Sequence, residues 1–348
     1  MRRHENIWVS LIPIVSIIFS ACQNNLNATD VDRTLETRAY GDKTPKIVTY
    51  IEVNDTNPLN CMLYRMDNEP FIDIVTIFAA NIHASGSEPS LWLNDNVTKI
   101  LVPDAGSTTT GQYKYVQPLR QDGAKVLLTI LGDHQGVGVG NLTEANQQKF
   151  AEILAWAVEE YDLDGIDFDD EWAKYGENPN FPLSVDGSFS GLIIKLRDEL
   201  DERFPNDHKL ITVFDIGYAS SLSSEAVAAC DFGWSGYFGP NTYNSNPILW
   251  PKEKWAAQAI DLSQLCSPNM YILNQISTRC TQTLNDGMGA ILTYGLRNHT
   301  ECDPLPVLQR IASTIFSNTV TRSSTPANGY TKDWSGDSGT AITYDDID

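Results

Sequence analysis

The sequence predicts one α/β domain folded as a (β/α)8 barrel. Three observations lead there: short β-branched runs alternate with helical segments, eight such runs can be counted, and 348 residues is a length one such barrel commonly occupies. In order, the runs are KIVTYIEV (46–53), FIDIVTIFAAN (71–81), KVLLTIL (125–131), LDGIDFD (163–169), KLITVFDIG (209–217), DFGWSGYFG (231–239), NMYILNQ (269–275) and GAILTYGL (289–296). Most are rich in Val, Ile, Thr, Tyr or Phe, the composition of strands. Between them apolar residues recur at helical spacing. Phe150, Ile153, Leu154, Ala157 and Val158 share one face of 144–161, and Leu192, Leu196 and Leu200 share one face of 189–204. Alternation of strand and helix implies a parallel sheet, and eight repeats favour closure over an open sheet. No internal repeat of fixed length is present.

The ends of the chain read differently from its middle. Residues 1–21 carry a basic start and an apolar run over 7–19, the form of a secretory signal peptide and too short for a comfortable membrane span. Ser20 and Ala21 directly before Cys22 look like a bacterial lipobox. That motif implies cleavage before Cys22, lipidation of the cysteine, and an exported lipoprotein anchored to a bacterial membrane at the cell surface or in the periplasm. Residues 22–45 are polar and aperiodic, as a flexible tether would be. The barrel domain is expected over 46–316. Residues 317–348 read as a loosely packed polar tail, with Tyr330, Trp334 and Tyr344 as anchors to the domain.

A content of 42% hydrophobic and 10% aromatic residues suits a folded protein. The 24 Lys and Arg against 45 Asp and Glu leave a formal net charge of -21, which repels polyphosphates and disfavours nucleic acid as a partner. A neutral substrate fits better. Beyond Cys22, five cysteines remain (Cys61, Cys230, Cys266, Cys280 and Cys302), with no spacing suited to zinc. No metal or cofactor is implied, and a monomer is expected. Export permits disulfides, for which Cys266, Cys280 and Cys302 are the nearest neighbours, the pairing being left open.

The most informative segment is L-D-G-I-D-F-D-D-E, residues 163–171. Side chains alternate along a strand, so Asp167, Asp169 and Glu171 share one face while Ile166 and Phe168 share the other. The apolar pair faces the helices, which leaves the acids on the barrel axis. Three carboxyl groups spaced about 7 Å apart repel one another and resist ionisation, which costs a fold stability but suits a proton donor. Glu171 stands at the carboxyl end of the run, where TIM-barrel active sites are built. A calcium loop of the EF-hand type would need a different ligand order.

D-G-I-D-F-D-D-E (164–171) matches the DGxDxDxE signature of glycoside hydrolase family 18, and LDGIDFDDEWAKYG resembles the corresponding stretch of its endo-β-N-acetylglucosaminidases. IEVN (51–54), IFAANI (77–82), KVLLTILGDHQGVG (125–138), DIG (215–217), WSGYFG (234–239) and ILTYGL (291–296) fall in register with the same group. The resemblance implies hydrolysis of the bond between the two N-acetylglucosamines at the base of an N-linked glycan. The substrate's own acetamide oxygen acts as nucleophile through an oxazolinium intermediate, with retention. It also implies roles. Glu171 protonates the leaving oxygen and later activates water; Asp169 orients the acetamide and balances the oxazolinium charge; Asp167 holds Asp169; Tyr237 hydrogen-bonds the acetamide oxygen. Ser235 departs from the pattern, standing where close relatives carry Asn or Gln. Asp133, His134 and Gln135 follow the third run and are expected to line the sugar site, and Tyr294 to floor it, since aromatic faces pack on sugar rings. Two other functions share this fold: a chitinase, and a surface glycan-binding protein that has lost catalysis.

Overall fold

The computed structural model describes residues 43–245, 247, 249–336 and 338–347. The expected signal peptide, Cys22 and most of the expected tether lie outside the described residues. Nine parallel strands form the barrel: β1 (Lys46–Glu52), β2 (Ile74–Ser85), β3 (Lys125–Gly132), β4 (Gly165–Asp169), β5 (Leu210–Asp215), β6 (Phe232–Ser235), β7 (Trp255–Ala256), β8 (Ala259–Asp261) and β9 (Ala290–Tyr294). Around the barrel they run β7-β6-β5-β4-β3-β2-β1-β9-β8. β7 and β8 are two halves of one interrupted seventh stave: the first pairs with β6, the second with β9, and Leu292 N–H donates to the Gln258 carbonyl between them at 3.0 Å.

That stave corrects one expectation. Residues 269–275 are not a strand but the start of helix Met270–Asp286, whose N-cap Asn269 accepts from the Ile272 N–H. Ile276, Cys280 and Thr283 form its buried face, while Met270 and Tyr271 are exposed. A short apolar run has no period of its own, and the polar residues that continue the helix decide the matter.

Alternation along the staves separates two cores. Val48, Tyr50, Leu127, Phe214, Trp234 and Leu292 fill the barrel interior. Ile47, Val126, Leu128, Ile166, Phe168, Ile211 and Ile291 pack outward against the helices, with Phe150, Ile153, Leu154, Leu192 and Leu196 among their partners. The C-terminal segment is more firmly held than a loose tail. Val320–Arg322 pairs with Tyr64–Met66, and Thr340–Ile342 pairs with Glu88–Leu93, which is itself the partner of the β2 extension. Between those pairings the Trp334 ring meets Tyr115 edge-on at 5.1 Å and its Nε1 donates to Asn96. These backbone pairs satisfy groups that a free tail would leave to water. Of the three neighbouring cysteines, Cys266 and Cys302 form the disulfide; Cys280 is buried and reduced, as are Cys61 and Cys230.

Candidate active site

Asp167 sits at the centre of the barrel, fully buried, and receives four hydrogen bonds from four other strands. Tyr50 OH on β1 and Thr129 Oγ1 on β3 donate to its Oδ2 at 2.7 and 2.9 Å. Thr212 Oγ1 on β5 and Trp234 Nε1 on β6 donate to Oδ1 at 2.5 and 3.0 Å. Burial pushes its carboxyl up to about 6, against the pull of those donors. Four hydrogen bonds donated to one carboxyl group, one of them from an indole that cannot accept, favour the ionised form.

Asp169, one step along the same face, has the opposite surroundings. Burial and then the nearby charges of Glu171, Asp167 and Asp170 push it up to about 8. Its Oδ1 is buried without a hydrogen-bond partner among the described residues. Such an atom typically costs about 1–3 kcal/mol and needs an explanation. Glu171 follows at the mouth, half-buried, and burial raises its carboxyl above the usual range. Its side chain has no hydrogen-bond partner among the described residues. One face of one strand thus carries a buried acid held by four donors, a second whose raised carboxyl has one oxygen without a partner among the described residues, and a half-buried acid at the rim.

Asp169 and Glu171 open into a cleft of about 230 Å³ at the carboxyl ends of the strands, walled by Tyr50, Phe78, Leu131, Trp172, Phe214, Phe238 and Tyr294. The walls are contiguous. Phe214 stacks on Phe238 at 5.7 Å, and Tyr294 lies 5.5 Å from Phe238 and 6.5 Å from Phe78. Tyr294 is steadied by its OH, which donates to Glu52 Oε2 at 2.8 Å. Trp172, which is 60% exposed, also lines a second cleft of about 540 Å³ with Tyr175, Tyr218, Ser220 and Ser221.

The other expected site residues are not among those that wall this cleft. Asp133 pairs with His83 Nε2 at 2.8 Å; His134 sets its ring 5.7 Å from Trp172 and its N–H on the Trp172 carbonyl; the Gln135 carbonyl accepts from Asn178. All three tie the loop after β3 to its neighbours, and none lines the cleft. Tyr237 is 71% exposed and outside the lining, where its neighbour Phe238 stands instead. Ser235 is fully buried, and its Oγ has no partner among the described residues. Because Trp234 points into the barrel, alternation turns Ser235 towards the outer shell. Ser235→Ala is therefore expected to leave kcat and KM unchanged and to preserve or raise Tm, since a buried unpaired hydroxyl is removed. Ser235→Asn should lower stability by about 1–3 kcal/mol through overpacking. A raised KM in the alanine variant would return Ser235 to the site.

Sequence reasoning missed Trp234, Tyr50, Thr129 and Thr212 around Asp167, and Phe78, Phe214 and Phe238 in the wall. Inward alternation from each strand was the signal for them. Among the described residues no group of three or more His, Cys, Asp or Glu side chains is placed to hold a metal.

No family model matches the chain. The endo-β-N-acetylglucosaminidase of Flavobacterium sp. (strain SK1022) is 33% identical over 283 residues, 80% of this chain and 82% of that protein. Endo-β-N-acetylglucosaminidase F1 of Elizabethkingia meningoseptica is 29% identical over 299 residues, 83% of this chain and 82% of that protein. The structure of Bacteroides thetaiotamicron EndoBT-3987 with Man5GlcNAc product shares the fold at a TM-score of 0.66 and 24% identity, covering 90% of this chain and 69% of that one. With the acidic face of β4 at the mouth of the barrel and a relative of this identity and coverage, the chain belongs to the endo-β-N-acetylglucosaminidases of glycoside hydrolase family 18.

Proposed function

We infer that the protein hydrolyses the β1,4 bond between the two core N-acetylglucosamines of N-linked glycans, by substrate-assisted catalysis with retention. The observation that carries this reading is the buried, unpartnered Oδ1 of Asp169 beside Glu171 in an aromatic cleft. An acetamide N–H is a donor of the kind that oxygen lacks, and accepting it aims the acetamide oxygen at the anomeric carbon. Glu171, whose carboxyl burial raises above the usual range, donates its proton to the leaving oxygen, and its carboxylate then draws a proton from the water that opens the oxazolinium. As positive charge develops on the acetamide, Asp169 releases its proton to water in the open cleft, and the carboxylate that results supplies the counter-charge. Mass spectrometry of glycans released from one high-mannose and one complex glycoprotein, with chitin oligosaccharides in parallel, tests the assignment. Release of glycans ending in one N-acetylglucosamine is expected. Cleavage of chitin oligosaccharides alone would make the enzyme a chitinase, and binding without turnover would make it a glycan-binding protein.

Export and a lipid anchor belong to the same proposal, supported by the apolar run and by Ser20-Ala21-Cys22. Cys22→Ala is expected to move the protein from the membrane fraction of a bacterial host to a soluble or unprocessed form. An unchanged membrane fraction, with no lipid mass on the parental protein, would remove the anchor.

A further inference from the structure

Asp170 stands between Asp169 and Glu171 in sequence but faces away from their cleft, lining the second one instead. It is a carboxylate only 9% exposed, and burial raises its pKa against the pull of the Tyr175 and Tyr218 donors. Burying such a group costs several kcal/mol unless it is well bonded, and an apolar residue of similar size would serve stability as well. Its bonds are short and reach two other chain segments. Tyr175 OH donates to Oδ1 at 2.5 Å, the Tyr218 N–H donates to Oδ2 at 2.7 Å, and Tyr175 OH accepts the Gly140 N–H at 3.0 Å. The two tyrosine rings meet edge-on at 5.1 Å. One carboxylate thus joins the loops that follow β3, β4 and β5.

The join has no slack. A Cβ on Gly140 would lie 2.2 Å from the Tyr218 ring, and one on Gly217, at φ +58°, would lie 2.4 Å from Asp170 Oδ2. These glycines belong to the segments after β3 and β5 that the proposed reaction does not otherwise use. Glu171, by contrast, has no hydrogen bond on its own side chain among the described residues to place it. Its position comes from the backbone, where its carbonyl accepts the Gly132 N–H at 3.1 Å and the preceding residue is the bridged Asp170.

We propose that Asp170 is a positioning residue for the general acid: its bridge to Tyr175 and the Tyr218 backbone fixes the chain segment that presents Glu171 to the leaving oxygen. This rests on the endoglycosidase reading of the site. A displacement of about 1 Å in such a group lowers a rate by about a hundredfold, with little change in substrate binding. The defect falls on proton donation, so it depends on how much the leaving group needs a proton.

The test compares the parental enzyme with Asp170→Asn and Tyr175→Phe, the second of which keeps the Asp170 charge and its Tyr218 bond and removes the hydroxyl that links Asp170 to Gly140. Each is measured on a glycopeptide and on an aryl glycoside in which nitrophenolate replaces the core N-acetylglucosamine. On the glycopeptide, kcat is expected to fall about tenfold or more in both variants with KM within about twofold; on the aryl glycoside the loss should stay under about threefold. Parental kcat in both folded variants would overturn the proposal. So would equal losses on the two substrates accompanied by a lower Tm, because that is the mark of a structural role. If Asp170→Asn does not fold, Tyr175→Phe decides alone. Absence of glycan release by the parental enzyme would overturn the endoglycosidase reading itself, and this proposal with it.

Discussion

Glu171→Gln is expected to lower kcat on a glycopeptide by about 10²–10⁴-fold while leaving the barrel folded, since that is the range general acid catalysis supplies. Glutamine keeps the shape of the half-buried side chain and cannot donate the proton. No hydrogen bond of the Glu171 side chain is lost, because none is present among the described residues, so Tm should stay within a degree or two of the parent. KM should change little, because the amide still fills its place at the mouth of the cleft. The raised carboxyl also predicts the pH response. Burial keeps Glu171 protonated to a higher pH than an exposed glutamate, so activity should decline on the alkaline side as that proton is lost. Steady-state kinetics on one glycopeptide decide the matter. A residual kcat above about a tenth of the parental value would remove Glu171 as the acid.

Asp169→Asn is expected to slow hydrolysis by about 10²–10³-fold, the size of losing one preorganised electrostatic partner at a developing charge. Transfer from a supplied sugar oxazoline to an acceptor should be retained, because that substrate enters past the step at which the counter-charge is needed. Parental hydrolysis in this variant would end the assigned role. The same substitution carries a stability signature whose sign follows from the shift. Asp169 lies at about 8 in the folded chain against 3.8 ordinarily, so between those values the folded state holds a proton that the unfolded state has released. The associated stabilisation is fully present below the unfolded value, declines by up to roughly 1.4 kcal/mol per pH unit above it, and is gone once pH passes the folded value. Asparagine cannot ionise. The Tm of Asp169→Asn relative to the parent should therefore rise steadily from pH 5 to pH 8, and a difference independent of pH would show that Asp169 is already ionised in the folded protein.

Both predictions concern residues visible in the linear sequence, and there is a physical reason. The alternation that puts Asp167, Asp169 and Glu171 on one face and Ile166 and Phe168 on the other is a local property of a strand, so eight residues suffice to state it. The strand and helix alternation of the barrel was legible for the same reason, through the inward and outward patterns of β1 to β6 and β9. The seventh stave was not legible. Trp255–Ala256 and Ala259–Asp261 are too short and too poor in β-branched residues to show a period, and their pairing is supplied by β6 and β9 once the barrel closes. The apolar run 269–275 then belongs to a helix.

What only the tertiary structure decided is which groups meet. Tyr50 and Asp167 are 117 residues apart, and Thr129, Thr212 and Trp234 come from three further strands, so closure alone brings four donors onto one carboxylate. That cage separates Asp167 from Asp169, two aspartates that the sequence presents as equals. Closure likewise leaves Tyr237 on the surface and sets Phe238 in the wall. It also makes Asp170, one more acid in an acidic run, the point where three loops join. Sequence periodicity determined which face of the strand bears the chemistry, because that face is set by adjacent residues. The protonation state and position of each acid depend on desolvation and on donors from distant strands, and only the closed barrel determines those.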